Sequence, residues 1–201
     1  MDRKQFLISS SLAAFSLSAF GRVSLDENQK FTGDCETTND ILGPFYRPMA
    51  PLRKSLIFEG LKGNRITVSG KVYTNDCETT LKDALVEIWH CNTEGEYDNK
   101  SSKMLHRASW KTDKSGNYSF KTILPGKYLN GELYRPSHIH FRVTAKEHQE
   151  LISQIYFAGD PHITEDAWAS QKKAENRILP INPVNTKGGL EVGFDIFLKK
   201  K

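Results

Sequence analysis

The chain has 201 residues, of which 38% are hydrophobic and 26% charged, and its formal net charge is +4. This length is enough for one domain with a sizeable single core, and the composition is that of an ordinary soluble globular protein. The positive charge is spread along the chain rather than gathered in blocks, so it does not indicate a nucleic-acid partner.

Residues 1–21 are predicted to be an export signal. Arg3 and Lys4 form a basic start, which resembles a twin-arginine signal with lysine in place of the second arginine. The apolar and Ser/Ala-rich run Phe6–Phe20 has 15 residues, too few for a membrane span and suited to a signal-peptide core. The alternative, a buried amphipathic helix, is disfavoured because this run has no charged face. After cleavage near Gly21 the chain is therefore expected in the periplasm or outside the cell, with no membrane attachment.

The mature region, residues 22–201, is predicted to form one domain that begins with an extended polar arm over 22–40. A segment rich in Gly and Pro follows and carries two aromatics, which either tuck into the core or form a wall for a small ligand. Alternating apolar and polar residues predict further strands, and one short stretch favours a helix. These strands are predicted at 65–74, 84–91, 118–120, 151–158 and 190–198, and the helix at 164–176.

Short strands separated by turns, with almost no helix, predict an all-β fold, an antiparallel β-sandwich with long loops and little helix. Tyr97 is expected just past the end of a strand, where functional side chains are often presented. The three cysteines favour one disulfide and one remaining thiol in an oxidising compartment, but the sequence does not choose the pair. They are Cys35, Cys77 and Cys91.

The segment 134–143 carries the main chemical signal. After Pro136 the residues alternate between polar and apolar, as in an extended strand, so that His138 and His140 share one face and the apolar residues share the other. Two imidazoles placed two residues apart form a ready pair of metal ligands. The alternative is a pair of solvent-facing histidines on an edge strand. His90, His106, His148 and His162 are interpreted as surface or packing residues.

Several segments, in this order and spacing, resemble one known family, the intradiol ring-cleavage dioxygenases, which include protocatechuate 3,4-dioxygenase and catechol 1,2-dioxygenase. The Arg-Pro-x-His-x-His segment with two upstream tyrosines is the specific part, whereas Asp-x-x-Gly-x-Tyr occurs in many β-sandwiches. The segments are Gly43-Pro44-Phe45-Tyr46, Ala84-Leu85-Val86-Glu87-Ile88-Trp89-His90, Gly95-Glu96-Tyr97, Thr112-Asp113 with Gly116-Asn117-Tyr118, Pro125-Gly126-Lys127-Tyr128, Arg135-Pro136-Ser137-His138-Ile139-His140-Phe141, and Gln154-Ile155-Tyr156-Phe157-Ala158-Gly159-Asp160.

The resemblance implies one ferric iron per chain, with Tyr97, Tyr128, His138 and His140 as its ligands. Tyr128 matches the axial tyrosine that leaves the metal when substrate binds, and Tyr97 matches the one that stays. Two phenolates and two neutral imidazoles form a hard, electron-rich set that favours ferric over ferrous iron. A trivalent cation would also hold the phenols deprotonated.

The resemblance implies roles for further residues. Besides Tyr128, the catalytic residues would be Arg135, beside the substrate ring, and Gln154, a polar neighbour of the metal. Five residues fall where the family lines its substrate pocket, in addition to Arg135. They are Gly43, Pro44, Phe45, Phe157 and Ala158.

The implied reaction is cleavage of a catecholic ring between its two hydroxylated carbons by O2, which gives a cis,cis-muconate-type diacid. The partners are thus a catechol and O2. The oligomeric state is left open, with a homodimer among the alternatives, because the long helical N-terminal region of the catechol 1,2-dioxygenases is not recognised here. The competing interpretation is a transthyretin-like or catalytically inactive β-sandwich that binds catechols or iron. The filled set of four ligand positions argues against it.

Overall fold

A computed structural model describes residues 24–25, 31–32, 35–184 and 189–201. The predicted export signal, residues 1–21, lies outside the described residues, and so does most of the predicted arm before Cys35. Within the described part of the chain, no helix has the length and apolar character needed to cross a membrane.

Strands dominate the described residues, and the helical element among them is a 3-10 helix, Lys172–Arg177. The strands are β1 Ser24–Leu25, β2 Phe31–Thr32, β3 Arg65–Thr74, β4 Leu85–Trp89, β5 Arg107–Lys111, β6 Asn117–Ile123, β7 Tyr128–Asn130, β8 Leu133–Arg135, β9 His138–Thr144, β10 Leu151–Phe157, β11 Ile178–Leu179, β12 Asn182–Val184, β13 Gly189–Gly193 and β14 Ile196–Leu198.

These strands form two five-stranded sheets, which confirms the predicted β-sandwich. The first sheet has the order β11-β10-β9-β4-β5, and in the second β3 pairs with β6 on one side and with β13 and β14 on the other. Most neighbours are antiparallel, but β10 with β11 and β3 with β13 and β14 are parallel. Two hairpins, β1–β2 and β7–β8, lie outside both sheets.

The hydrophobic core fills the space between the sheets. Strand β9 lies in the middle of the first sheet, and its apolar face, Ile139, Phe141 and Val143, is fully buried. The Phe141 ring lies with its centroid 6.2 Å from that of Phe120 on β6 and 5.3 Å from that of Phe194. The predicted alternation along this strand is therefore confirmed, and the polar face of β9 points away from the core.

The helix predicted at 164–176 is wrong, because this stretch forms turns followed by the 3-10 helix Lys172–Arg177. The carboxylate of Asp166 accepts hydrogen bonds from the backbone N–H groups of Trp168 and Ala169, at 3.0 and 2.7 Å. A side chain that binds nearby backbone donors in this way competes with helical hydrogen bonding. The local turn thus replaces the helix.

Some strand boundaries also differ from the prediction. The run 134–143 is divided into β8 and β9 around Pro136, since proline has no N–H for a strand ladder. The run 190–198 is divided into β13 and β14, and between them the Asp195 carboxylate accepts the backbone N–H of Lys71 at 2.8 Å. Strand β5 was not predicted. One of its faces places Ala108 and Trp110 in the core, but the other carries the polar residues Arg107 and Ser109, which are buried as well.

The structure pairs Cys35 with Cys77 in a disulfide and leaves Cys91 as a buried thiol. The bond fastens the end of the predicted arm to the turn that follows β3. The same segment is held at Thr37, whose backbone N–H donates to the carbonyl of Phe197 at 3.1 Å.

Candidate metal centre

Two histidines occupy the outer face of β9, away from the core. His138 is 0% exposed and His140 is 1% exposed. They are buried because β9 lies between β10 and β4 and because loops cross over its outer face. The alternative of two solvent-facing histidines on an edge strand is therefore wrong.

Two tyrosines reach the same place from different elements. Tyr97 lies in the loop after β4, and Tyr128 is the first residue of β7. The ring centroids are 5.8 Å apart for the two tyrosines, 5.7 Å for Tyr128 and His138, 6.3 Å for Tyr97 and His140, and 4.9 Å for the two histidines. We call Tyr97, Tyr128, His138 and His140 the ring quartet. The structure brings all four of its members together.

The His138 ring is oriented by its own backbone. Its Nδ1 lies 2.6 Å from the carbonyl oxygen of Pro136, so Nδ1–H is the donor there and Nε2 keeps a free lone pair. That Nε2 lies 3.3 Å from the phenol oxygen of Tyr97. Burial, assisted by the positive charge of Arg135, lowers the pKa of His138 to about 4. The imidazole is thus neutral, as a metal ligand must be.

The His140 ring is held by packing rather than by a strong hydrogen bond. It stacks on Trp89 with the centroids 4.8 Å apart and the planes 9° from parallel. Among the described residues, Nδ1 of His140 has no hydrogen-bond partner of good geometry. Burial lowers its pKa well below the usual value, with a further contribution from His138.

Gly43 closes over the His140 ring. A Cβ atom at this position would lie 3.1 Å from Cε1 of His140, closer than an ordinary van der Waals contact, and the φ angle of Gly43 is +72°. Both the space and the backbone conformation therefore favour glycine here. The segment predicted to line a pocket comes directly against a predicted ligand.

The donor set of the ring quartet fits a trivalent transition metal. Two ligand atoms bonded to a metal at about 2.1 Å and at right angles lie about 3 Å apart, and Tyr97 Oη and His138 Nε2 are 3.3 Å apart. Burial raises the pKa of Tyr97 well above 10, so its phenol ionises at neutral pH only beside a cation. No three His, Cys, Asp or Glu residues of the described ranges form a metal cluster, so a metal at the quartet would need its two phenols as ligands.

Arg135 is buried beside the quartet in a fixed orientation. Its Nε donates to the carboxylate of Asp166 at 2.8 Å, and its Nη2 lies 3.2 Å from both the Gln154 side-chain oxygen and the Tyr156 hydroxyl. The guanidinium also lies 4.5 Å from the Trp168 ring centroid. Although burial disfavours its charge, the hydrogen bond to Asp166 raises the pKa of Arg135. The side chain is therefore a permanent, partly neutralised positive charge.

Gln154 connects Arg135 to the segment that covers the histidines. Its amide nitrogen donates to the carbonyl of Ile41 at 2.9 Å, two residues before Gly43. The Tyr156 hydroxyl donates to Asp40 at 2.9 Å, and Asp40 forms a buried ion pair with Arg177 at 2.6 Å. The sequence did not identify three of these residues, Asp166, Asp40 and Arg177. None lies in a recognised motif, and each bonds to a partner more than 30 residues away in the chain.

The residues predicted to line a substrate pocket do not all lie at the quartet. Phe45 stacks on Tyr97 with centroids 4.2 Å apart and meets Tyr128 edge-on at 5.9 Å. Pro44 and Ala158 are exposed, whereas Phe157 is 2% exposed and belongs to the core between the sheets. Alternation along β10 explains this placement, because Gln154 takes the histidine face and Phe157 takes the opposite one.

His90 is a packing residue, as the sequence suggested. It directly follows β4, and both of its ring nitrogens are occupied. Nδ1 is 2.7 Å from the carbonyl of Cys91, and Nε2 is 2.7 Å from the hydroxyl of Thr122 on the second sheet. A histidine with both nitrogens bonded to protein atoms has no lone pair left for a metal.

Comparisons with known proteins identify related dioxygenases. The profile of a family described as Dioxygenase matches residues 41–200. The chain is 28% identical to chlorocatechol 1,2-dioxygenase from Rhodococcus opacus over 86% of its own length and 75% of that protein's. It is 31% identical to catechol 1,2-dioxygenase 2 from Acinetobacter lwoffii over 77% of its length, but spans only 63% of that relative.

Among solved structures, the chain is similar to the dioxygenase domain of a dioxygenase–carbohydrate-binding fusion protein from the cellulolytic bacterium Streptomyces sp. SirexAA-E. The TM-score is 0.70 and the sequence identity is 30%. The match covers 83% of this chain and 99% of that domain. The likeness therefore extends through the whole of the compared domain.

Proposed function

Since this chain belongs to the intradiol ring-cleavage dioxygenase family, we propose that it cleaves a catecholic ring between the two hydroxylated carbons with O2, giving a cis,cis-muconate-type diacid. The observation that carries this proposal is the convergence of two phenols and two neutral imidazoles from three separate elements. A ligand-binding sandwich without chemistry has no need of such a set, because buried polar side chains with free lone pairs are costly.

We further propose ferric iron, one ion per chain, as the cofactor that the ring quartet holds. Tyr97, Tyr128, His138 and His140 would be its ligands. When bound, ferric iron would take both catechol oxygens and withdraw electron density from the ring, which makes a ring carbon reactive toward O2. The protein supplies geometry, polar support and a dry cavity.

Tyr128 is the residue suited to accept a substrate proton. It is only half-buried, and it starts a two-stranded hairpin that belongs to neither large sheet. Its phenol oxygen can therefore move more easily than that of Tyr97, which is clamped by the stacked Phe45 ring. With a cation bound, Tyr128 would be held as a phenolate, and as substrate enters its Oη would take the proton of one catechol hydroxyl and become a neutral phenol, while Tyr97 stays in place.

Arg135 provides the fixed positive charge beside the reacting ring. Asp166, Gln154 and Tyr156 hold its guanidinium from three sides, so no reorganisation is needed when negative charge develops on the substrate. Preorganised charge of this kind contributes a few kcal/mol to transition-state stabilisation. Gln154 acts by positioning, because it ties Arg135 to the backbone beside Gly43.

We also propose that the protein is exported to the periplasm or the extracellular space. The basic and apolar start of the sequence supports this location. The Cys35–Cys77 disulfide supports it as well, since such bonds persist mainly in oxidising compartments.

The proposal is tested by loading the purified protein with ferric iron. We expect about one iron per chain, a visible phenolate-to-iron charge-transfer band, and oxygen uptake with catechol, protocatechuate or hydroxyquinol. Tyr128→Phe should remove most of the turnover, whereas Tyr134→Phe, on the other face of the same hairpin, should not. A protein that stays colourless after ferric loading would defeat the proposal.

A further inference from the structure

The hairpin β7–β8 extends from the candidate site into solvent. Asn130 pairs with Leu133, so the turn between the strands has two residues, Gly131 and Glu132. Gly131 has a φ angle of +67°, as tight hairpin turns of this length require, and a Cβ atom there would meet nothing within 4 Å. The tip of the hairpin is therefore open to water on the side of Gly131.

The register of the hairpin assigns its residues to two faces. In an antiparallel pair, directly opposite residues share a face, and successive pairs alternate between faces. The pair Leu129–Tyr134 thus lies on one face, while the pairs Tyr128–Arg135 and Asn130–Leu133 lie on the other.

The face of the hairpin that carries Leu133 is the one that contacts the ring quartet. The Tyr128 ring on this face lies 5.7 Å from the His138 ring, and Arg135 on the same face bonds to Gln154 at 3.2 Å. Leu133 is two residues from Arg135, hence about 6.5 Å further out along the strand. It is 53% exposed, which places a branched apolar side chain at the edge of the site with half of its surface in water.

The charges of this hairpin leave no free cation on the site-facing side. Arg135 is already paired with Asp166 at 2.8 Å, with both side chains 2% exposed. The Lys127 ammonium lies 4.3 Å from the centroid of the Tyr134 ring, which belongs to the opposite face. A carboxylate on a substituent beside Leu133 would lose hydration there, and this hairpin offers it no unpaired cation in exchange.

We propose that Leu133 forms an apolar subsite at the rim, which contacts a substituent of the catechol ring and selects alkyl- or aryl-substituted catechols over carboxylated ones. This inference rests on the proposed function, because it assigns the substrate class of the same site. Burying the exposed half of Leu133 against an apolar substituent is favourable in proportion to the area removed from water.

The test compares Leu133→Asn with the matched variant Leu129→Asn on the opposite face of the hairpin. Leu129 is 57% exposed, so the two substitutions are alike in size, chemistry and exposure. The probes are catechol, 4-tert-butylcatechol and protocatechuate. Binding to the iron-loaded protein is measured by calorimetry without oxygen, and kcat/KM is measured by oxygen uptake.

We expect the unaltered protein to bind 4-tert-butylcatechol more tightly than catechol, and protocatechuate least tightly. Leu133→Asn should weaken binding and lower kcat/KM for 4-tert-butylcatechol by about 5-fold, and leave catechol unchanged within about 2-fold. Leu129→Asn should change none of the three. Thermal unfolding of both variants should match that of the unaltered protein, since both positions are exposed.

Three results would overturn the inference while the proposed function stands. They are normal catechol cleavage with an unchanged substrate ratio in Leu133→Asn, equal effects of the two substitutions, and a preference for protocatechuate in the unaltered protein. If none of the three compounds is bound or cleaved, the proposed function is overturned, and this inference with it.

Discussion

The inner face of strand β9 and the two histidines on its outer face are both buried, but by different means. The inner face packs against the second sheet, with Phe141 against Phe120 and Phe194. The outer face, with His138 and His140, is covered by loops and by single side chains such as Trp89 and Phe45. One face therefore contributes stability through apolar packing, and the other holds polar groups whose burial costs free energy.

The difference shows how a buried histidine that packs can be distinguished from one that can bind a metal. His90 faces the core and bonds protein atoms through both nitrogens. His138 uses one nitrogen for the carbonyl of Pro136 and directs the other toward Tyr97. Burial alone does not indicate a metal ligand. A ring nitrogen that points toward other potential ligand atoms, as Nε2 of His138 does toward Tyr97, is the better indication.

The largest expected effect is on the outer face. His138→Ala removes one of the four proposed ligands, and we expect loss of bound iron and of turnover, with a small change in the unfolding free energy of the iron-free protein. Iron content and the charge-transfer band measure the first effect, and urea unfolding measures the second. His162→Ala, which changes a histidine outside the quartet, is the control; one iron per chain retained by His138→Ala would contradict the assignment.

A large effect of the opposite kind is expected on the inner face. Phe141→Ala leaves a cavity in a fully buried part of the core, and we expect the unfolding free energy to fall by about 3–5 kcal/mol. The folded fraction should still bind one iron, because the substitution faces away from the quartet. Urea unfolding together with iron titration measures both quantities. A loss of iron binding without a loss of stability would show that the two faces are not separate.

The smallest effect concerns the pH dependence of stability. Burial, assisted by the nearby His106, lowers the pKa of His90 to about 3. The unfolded chain therefore takes up the proton first, near pH 6.5, so stability falls as the pH decreases from there toward 3. We expect the unfolding free energy of His90→Asn to fall less steeply with decreasing pH than that of the unaltered protein, by up to about 1.4 kcal/mol per pH unit. Urea unfolding of the iron-free proteins between pH 7 and 5 measures this difference. An unchanged slope would contradict the neutral, buried state of His90.

The sequence was sufficient for strands with a clear apolar–polar alternation. Alternation after Pro136 correctly assigned both faces of β9, and the resemblance nominated four side chains that the structure brings together. Non-local features could not be predicted in this way. The Asp166 carboxylate binds Arg135 from a stretch that resembled a helix, 31 residues away in the chain. Phe157 was misassigned for another reason, because alternation along β10 already places it opposite Gln154 and the family motif was followed instead.

The pairing of β3 also has a consequence for how the protein reaches its native state. This strand lies early in the chain, yet Val68 pairs with Val192 and Val72 pairs with Ile196. Contacts between such distant segments close large loops before any stabilisation is gained, so they slow folding. The second sheet therefore cannot be completed until residues 189–198 have been synthesised, well over 100 residues after β3. We expect this late pairing to fold more slowly than the local hairpin β7–β8, whose partners are close together in the chain.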